Sequence, residues 1–163
     1  MAMELETDRL TLRPWAVDDA ADYRALTSER RSGAVSTEAA RERVVTQLAS
    51  TERTGIALLT ARRRVEGDFI GYCGLIVGRA SVDEPEIAYE LFRRAHGHGY
   101  ATEAARAVVE AAIATGRKRL WSTVGSWNAP SLRVLEKLGF HCDHVDPGHD
   151  GRGELVWLTR VLP

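Results

Sequence analysis

The sequence predicts an α+β fold, a mixed α/β sandwich, on three observations. Helical patterns come first, a run of strands fills the middle, and a β-α-β-α-β-β order closes the chain. Ala101, Ala104, Ala105, Val108, Val109, Ala112 and Ile113 recur at helical spacing, with Glu103, Arg106 and Glu110 opposite. That helix stands between two strand patterns, which makes parallel pairing around it the expected connection.

Each element has a local reason. Leu10 and Leu12 alternate with Thr11 and Arg13 as a short strand that Pro14 ends. Asp18 or Asp19 suits an N-cap for a helix through about Leu26. A second helix starts at Ser36, carries Glu38 in its first turn and runs towards Ala49. Ile56 to Ala61 and Phe69 to Val77 read as strands joined through Arg62-Arg63-Arg64, where a solvated loop is expected. In the second of these, Gly71 and Gly74 point to a bulge or a close backbone approach. Glu86 to Phe92 is a strand with Ile87, Tyr89 and Leu91 on one face and Glu86, Ala88 and Glu90 on the other. Gly116 stops the long helix, and Arg119 to Val124 is the next strand. Pro130 opens a helix through Leu132, Leu135 and Leu138 that Gly139 terminates, before strands at Phe140 to Val145 and Glu154 to Leu162.

Composition narrows the function classes. The chain has 163 residues, 44% hydrophobic and 28% charged, with no repeat or linker, so residues 1–163 read as one domain. Lys and Arg number 22 against 23 Asp and Glu, which lacks the basic footprint that broad nucleic-acid binding needs. Cys73 and Cys142 cannot staple a disulfide scaffold, and Glu4, Glu6 and Asp8 stand where a leader peptide needs apolar residues. No stretch approaches a membrane span. The expectation is a cytoplasmic protein with no nucleic-acid or membrane partner, monomer or homodimer.

The segment Arg93-Arg94-Ala95-His96-Gly97-His98-Gly99-Tyr100-Ala101-Thr102 joins a strand to the amphipathic helix. A helix start offers unpaired N–H groups and partial positive charge, and glycines let a phosphate approach the backbone. Taken alone, Gly-x-Gly fits an ordinary turn as well as a ligand loop. Thr102 stands where a dinucleotide fingerprint needs a third small residue, Trp121-Ser122-Thr123 offers no ribose-binding carboxylate, and Gly-Lys-Ser/Thr is absent. His141-Cys142-Asp143-His144, with His149 and Asp150 nearby, resembles a metal cluster by composition, but strand alternation and the missing paired spacing argue for no metal. Asp18, Asp19 and Asp22 could draw a cationic ligand or simply favour a helix start. Trp15, Trp121 and Trp127 read as core or site walls.

Arg94-x-x-Gly97-x-Gly99 followed by Tyr100-Ala101-Thr102-Glu103-Ala104 resembles the acyl-CoA signature of the GCN5-related N-acetyltransferases (GNAT). Asn128 to Phe140 is similar to the family's second block, and Thr7 to Pro14 to the opening of the subgroup that acetylates ribosomal-protein N-termini. The resemblance implies an acetyltransferase with a central mixed, twisted sheet of about seven strands and helices on both faces; the arginine-, alanine- and glycine-rich usage points to a GC-rich bacterial source. Two parallel strands would splay around acetyl-CoA, the acyl donor. It implies that Leu91, Phe92 and Arg93 line the pantetheine arm and that Arg94, Gly97, His98, Gly99, Tyr100, Ala101 and Thr102 wrap the diphosphate. Asn128 would bond the arm, and Ser131 would sit near the sulfur as proton donor to the thiolate. The acceptor is an amine, on a protein N-terminus or on a polyamine, amino acid or antibiotic; a non-catalytic acyl-CoA sensor is the alternative.

Neutralising a lysine-like amine at pH 7 costs about 4.6 kcal/mol and an α-amine about 1 kcal/mol. Glu86 is the candidate general base, Glu90 the second choice, or water alone serves an α-amine. Cys73 has no paired histidine in sequence, so direct attack in a ternary complex is expected rather than an acyl-enzyme.

Overall fold

The computed structural model describes residues 4–30, 32–148 and 153–163. Eight strands form one sheet in the order β1-β2-β3-β4-β5-β6-β8-β7. They are β1 (Leu5–Glu6), β2 (Leu10–Arg13), β3 (Leu58–Arg63), β4 (Phe69–Ile76), β5 (Glu86–Leu91), β6 (Arg119–Gly125), β7 (His141–Asp146) and β8 (Leu155–Val161). The helices are α1 (Ala20–Thr27), α2 (Thr37–Thr54), α3 (Tyr100–Ala114) and α4 (Ala129–Lys137), with 3-10 turns at Val17–Asp19 and Arg93–Ala95. Among the described residues, no helix is long and apolar enough to cross a membrane.

The fold class and helix placement agree with the sequence expectation, and the strand count rises from about seven to eight through β1. That two-residue strand is too short to carry a period. Its partner strand and the first turn of α3 hold it in place: Arg9 N–H and Nε reach the Glu103 carboxylate at 3.0 and 2.8 Å. Burial pulls the Glu103 carboxyl upward, but the Thr7 hydroxyl and Arg9 hold it below its usual range.

The sheet separates two apolar clusters. On one face Leu10, Leu12, Leu59, Ile70, Leu75 and Ile87 meet Ala104, Ala105, Val108 and Ala112 of α3 and Leu135 of α4. Each fully buried leucine or isoleucine contributes about 1.5–3 kcal/mol. On the other face Trp15, Tyr23, Leu26, Ala40, Val44 and Phe69 pack α1 and α2 over β4. Ser36 caps α2 by accepting the Ala39 N–H at 3.1 Å, as its sequence predicts. The helix runs past Ala49 to Thr54, where Gly55 ends it in a left-handed conformation.

Three expectations change. Asp19 stands at the N-cap of α1 as expected, but its buried side chain makes no cap bond to that helix: it accepts from Ala16 N–H at 2.7 Å and from Arg62 at 2.7 Å. Arg62 and Arg63 are not a solvated loop. They end β3 and pair with Asp19 and Asp68, while Arg64 bonds the Thr7 carbonyl at 2.9 Å. In β7 a bulge at Asp143 breaks the alternation, because His141 and His144 stand opposite Thr159 and Trp157, which share one face of β8. His144 stacks on Trp157 with ring centroids 5.2 Å apart. His149 and Asp150 lie outside the described residues.

Candidate active site

β5 and β6 run parallel and meet at a single register pair among the described residues, Glu86 with Trp121, after which they part. Trp121 N–H donates to the Pro85 carbonyl at 3.0 Å, and the Ser122 hydroxyl donates to the Ile87 carbonyl at 3.1 Å. Phe92 N–H points the other way, to the Ile70 carbonyl of β4 at 2.9 Å. Successive peptide groups of a strand alternate sides, so Tyr89 and Leu91 present their N–H groups to the gap, while the Arg93 N–H beyond the strand is held by the Glu29 carboxylate. The splay therefore leaves one strand edge ready to pair with an extended, amide-bearing chain.

The turn that follows exposes donors for an anion. Gly97 and Gly99 both take φ of +79°, a left-handed conformation that disfavours any Cβ. Gly99 is the N-cap of α3, and the first bond of the helix runs from Glu103 N–H to Gly99 C=O at 3.0 Å. The N–H groups of Tyr100, Ala101 and Thr102 thus lack intrahelical acceptors, at the positive end of the helix dipole. Beside this end lies an open cleft of about 640 Å³ of mixed charge, bordered by Arg9, Arg106 and Lys137 and by the carboxylates of Glu6, Asp8, Glu103 and Glu110.

The arginines of the turn make contacts within the fold. Arg94 donates to Asp68 at 2.7 Å and to the Phe69 carbonyl at 2.9 Å, bracing the turn against the β3–β4 hairpin. Arg93 donates its guanidinium to the Glu29 carbonyl and its main-chain N–H to the Glu29 carboxylate, both at 2.7 Å. His96 folds back onto the Leu91 carbonyl at 3.0 Å, while His98 is exposed beside Tyr100. Both arginines thus brace the turn against neighbouring elements.

Hydrogen bonds from Arg63 and then Arg94 hold the Asp68 carboxyl down to about 2. A depressed carboxyl supports the fold above its unfolded pKa of 3.8 and loses that support as pH falls towards 2. Asp68→Asn is therefore expected to flatten the loss of stability between pH 4 and pH 2.5, measured by urea unfolding at each pH. An unchanged acid limb would mean that this ion pair carries no share of it.

Across the gap, β6 ends at Gly125, over which the largely exposed indole of Trp127 lies. Asn128 then caps α4, its side chain accepting the Ser131 N–H at 3.3 Å. The Tyr89 hydroxyl, pushed up to about 12 chiefly by burial, donates to the Ser131 carbonyl at 3.1 Å. That bond ties the start of α4 to β5 across the splay and brings Asn128 and Ser131 beside the strand edge.

The two carboxylates of β5 differ sharply. Glu86 is 3% exposed, accepts from the Thr123 hydroxyl at 2.6 Å and takes the Arg79 N–H on its other oxygen. Glu90, on the same face, is gripped by Arg30 from the α1–α2 connection at 2.7 and 3.0 Å. The bond to Glu90 raises the Arg30 guanidinium further above its ordinary value, and burial raises the neighbouring Tyr72 phenol. Cys73 is fully buried under α3, and burial pushes its thiol far above the nucleophilic range.

Sequence reasoning named the edge of β5, the glycine turn, and Asn128 and Ser131 at the start of α4. It missed Tyr89, Thr123, Glu29 and Arg30. The alternation of β5 already places Tyr89 on the helix-facing side, whereas the other three depend on contacts across 37 to 64 positions and leave no local signal.

A sheet with one parallel pair splayed beside a helix-start anion cradle is an acyl-CoA-dependent transferase architecture, and residues 9–141 match the acetyltransferase (GNAT) domain model. The chain belongs to the GNAT family. The YkkB protein of Bacillus subtilis (strain 168) is 34% identical over 89 residues, 53% of this chain and 52% of that protein. The aligned segment thus spans about half the length of this curated relative. A GnaT-family acetyltransferase structure from Bordetella pertussis superposes with a TM-score of 0.85 at 25% identity, covering 98% and 99% of the two chains. The ribosomal-protein-S5-alanine acetyltransferase of Vibrio fischeri shares the fold, with a TM-score of 0.81 at 15% identity over 98% and 97%.

Proposed function

We propose that this chain transfers the acetyl group of acetyl-CoA to a primary amine by direct attack within a ternary complex. The observation that carries the reading is the unpaired edge of β5 running into the Gly97–Thr102 turn. In this reading the pantetheine arm lies along Leu91, Phe92 and Arg93. The diphosphate sits on the N–H groups from Gly97 through Gly99 to Thr102, with the nucleotide end towards the Arg106 and Lys137 cleft. The donor supplies a thioester carbon; a strand N–H polarises its carbonyl, and the amine attacks. Asn128 faces the arm, and Ser131 at the start of α4 returns a proton to the leaving thiolate.

Glu86 accepts the proton that the amine must lose. Glu90 is the weaker candidate, because Arg30 already satisfies it. A buried, neutral Cys73 supports direct transfer over an acyl-enzyme. An α-amine acceptor, including a protein N-terminus, needs the least help in deprotonation. Resemblance of Thr7 to Pro14 to the ribosomal-protein acetyltransferases supports that choice.

The test pairs binding with transfer. CoA at 100-fold its Kd is expected to stabilise the chain by about 2.7 kcal/mol, and thiol release should require both acetyl-CoA and an amine. Binding without transfer to any amine would favour a sensor. Gly97→Val is expected to raise the KM for acetyl-CoA about 10-fold, the loss of one good hydrogen bond to a charged group. Its fold should survive: nothing lies within 4 Å of the added Cβ, and the penalty is the left-handed backbone, about 1–2 kcal/mol. Unchanged donor affinity in the folded variant would remove the turn from the donor site.

A further inference from the structure

We propose that the Thr123 hydroxyl is the proton relay through which the buried Glu86 serves the acceptor amine. The inference rests on the reading of Glu86 as base and asks how a carboxylate that is 3% exposed meets a substrate.

One oxygen of Glu86 is closed off. Oε2 accepts the Arg79 N–H, and Gly78 lies so close that a Cβ there would fall 2.0 Å from it. Oε1 has one neighbour that leads outward, the Thr123 hydroxyl at 2.6 Å. Thr123 is only half-buried, and it stands two residues beyond Trp121, the register partner of Glu86, in the direction in which β5 and β6 part. The relay thus extends the carboxylate's reach by one hydrogen bond, the 2.6 Å from Oε1 to Oγ1, towards the splay.

A hydroxyl donates one proton and keeps lone pairs to accept another. Because Thr123 donates to Glu86, its oxygen is free to accept from an ammonium or from a water bound to it. In the relay one N–H or O–H proton moves to Oγ1 while the Oγ1 proton moves to Oε1. The products are a neutral amine, a protonated Glu86 and an intact threonine, with no net gain or loss of protons. The amine nitrogen then forms the C–N bond and the C–S bond breaks; Ser131 passes its hydroxyl proton to the thiolate and regains one from the surplus N–H proton of the nascent amide, so that thiol, amide and serine are all neutral. The charged groups around the relay are Arg79, whose guanidinium lies 3.5 Å from Oγ1, Glu84 and Arg119 on the far side of Trp121, and Glu90 further along β5. Arg79 can occupy one lone pair of Oγ1 and leaves the second for substrate.

The experiment compares Thr123→Val, Thr123→Ser, Glu86→Gln and the Glu86→Gln/Thr123→Val double variant. Each is assayed with acetyl-CoA and an alanyl peptide, spermidine or an aminoglycoside, whichever the unaltered chain turns over fastest. Thr123→Val is expected to lose about 10²-fold in kcat at pH 7, the lower range for a general base. Its KM for acetyl-CoA should stay within about 2-fold, and the deficit should shrink as pH rises to the pKa of the amine. Thr123→Ser should restore the rate to within about 3-fold, and the double variant should be no slower than Glu86→Gln. Full activity of Thr123→Val beside a slow Glu86→Gln would overturn the relay, as would additive losses or a deficit independent of pH. Full activity of Glu86→Gln, or no turnover of any of the three amines, would instead remove the underlying reading. CoA affinity and melting temperature establish folding, and should Thr123→Val fail to fold, Thr123→Ser against Thr123→Ala makes the same comparison.

Discussion

Glu86→Gln is expected to lower kcat about 10²- to 10³-fold at pH 7, with the KM for acetyl-CoA nearly unchanged. The sign of the pH effect follows from what the base does. Below the pKa of the acceptor most amine is protonated, so losing the base hurts most there; as pH rises the solution itself supplies neutral amine and the deficit narrows. The substitution also meets a geometric demand, because both oxygens of Glu86 accept hydrogen bonds, from Thr123 and from Arg79 N–H. A glutamine amide keeps one acceptor and turns two donors against a donor. That mismatch should cost about 1–3 kcal/mol of stability, visible as a lower urea midpoint while the folded fraction still binds CoA. A pH–rate profile matching that of the unaltered chain would remove Glu86 as base.

The parts of this fold that were legible in the sequence are those written in local period. The apolar stripe of α3, the Gly97 and Gly99 turn, and the helix start at Pro130 are each written in neighbouring residues and signal themselves. Face assignment on β5 was legible for the same reason: alternation sends Ile87 and Leu91 to the α3 layer and Glu90 to the α1 side. What escaped are pairings that cross the chain. Arg62 and Arg63 look like solvated charge until Asp19 and Asp68 are folded against them. Arg94 gives no sign in the sequence that the same Asp68 pairs with it. The bulge at Asp143 reverses the facing of His144 because two residues of β7 share one step of β8, a shift that no composition reveals. Glu29 on Arg93 N–H and Thr123 on Glu86 likewise belong to tertiary geometry rather than to motif.

The same reasoning gives Gly71 an outsized weight. It pairs with Leu91 where β3 shifts register against β4, at φ of +150°. A Cβ there would fall 2.0 Å from the Glu90 carbonyl oxygen and 2.8 Å from Leu91 Cα, both main-chain atoms of β5. Neither can swing aside as a flexible side chain would. Backbone strain of about 1–3 kcal/mol and overpacking of about 1–3 kcal/mol act together. Gly71→Ala is therefore expected to destabilise by about 4 kcal/mol and to lower Tm by about 8–16 °C at this chain length. The displaced atoms are the strand edge assigned to the donor, so CoA affinity of the remaining folded protein should fall as well. Gly74→Ala supplies the control: its Cβ would meet the Ala57 carbonyl at 2.3 Å on β4's opposite neighbour, away from β5. Comparable melting in the two variants, with CoA binding weakened only in Gly71→Ala, separates damage to the sheet from damage to the donor strand. Equal CoA affinity in both would break the link between the Glu90–Leu91 edge and the cofactor.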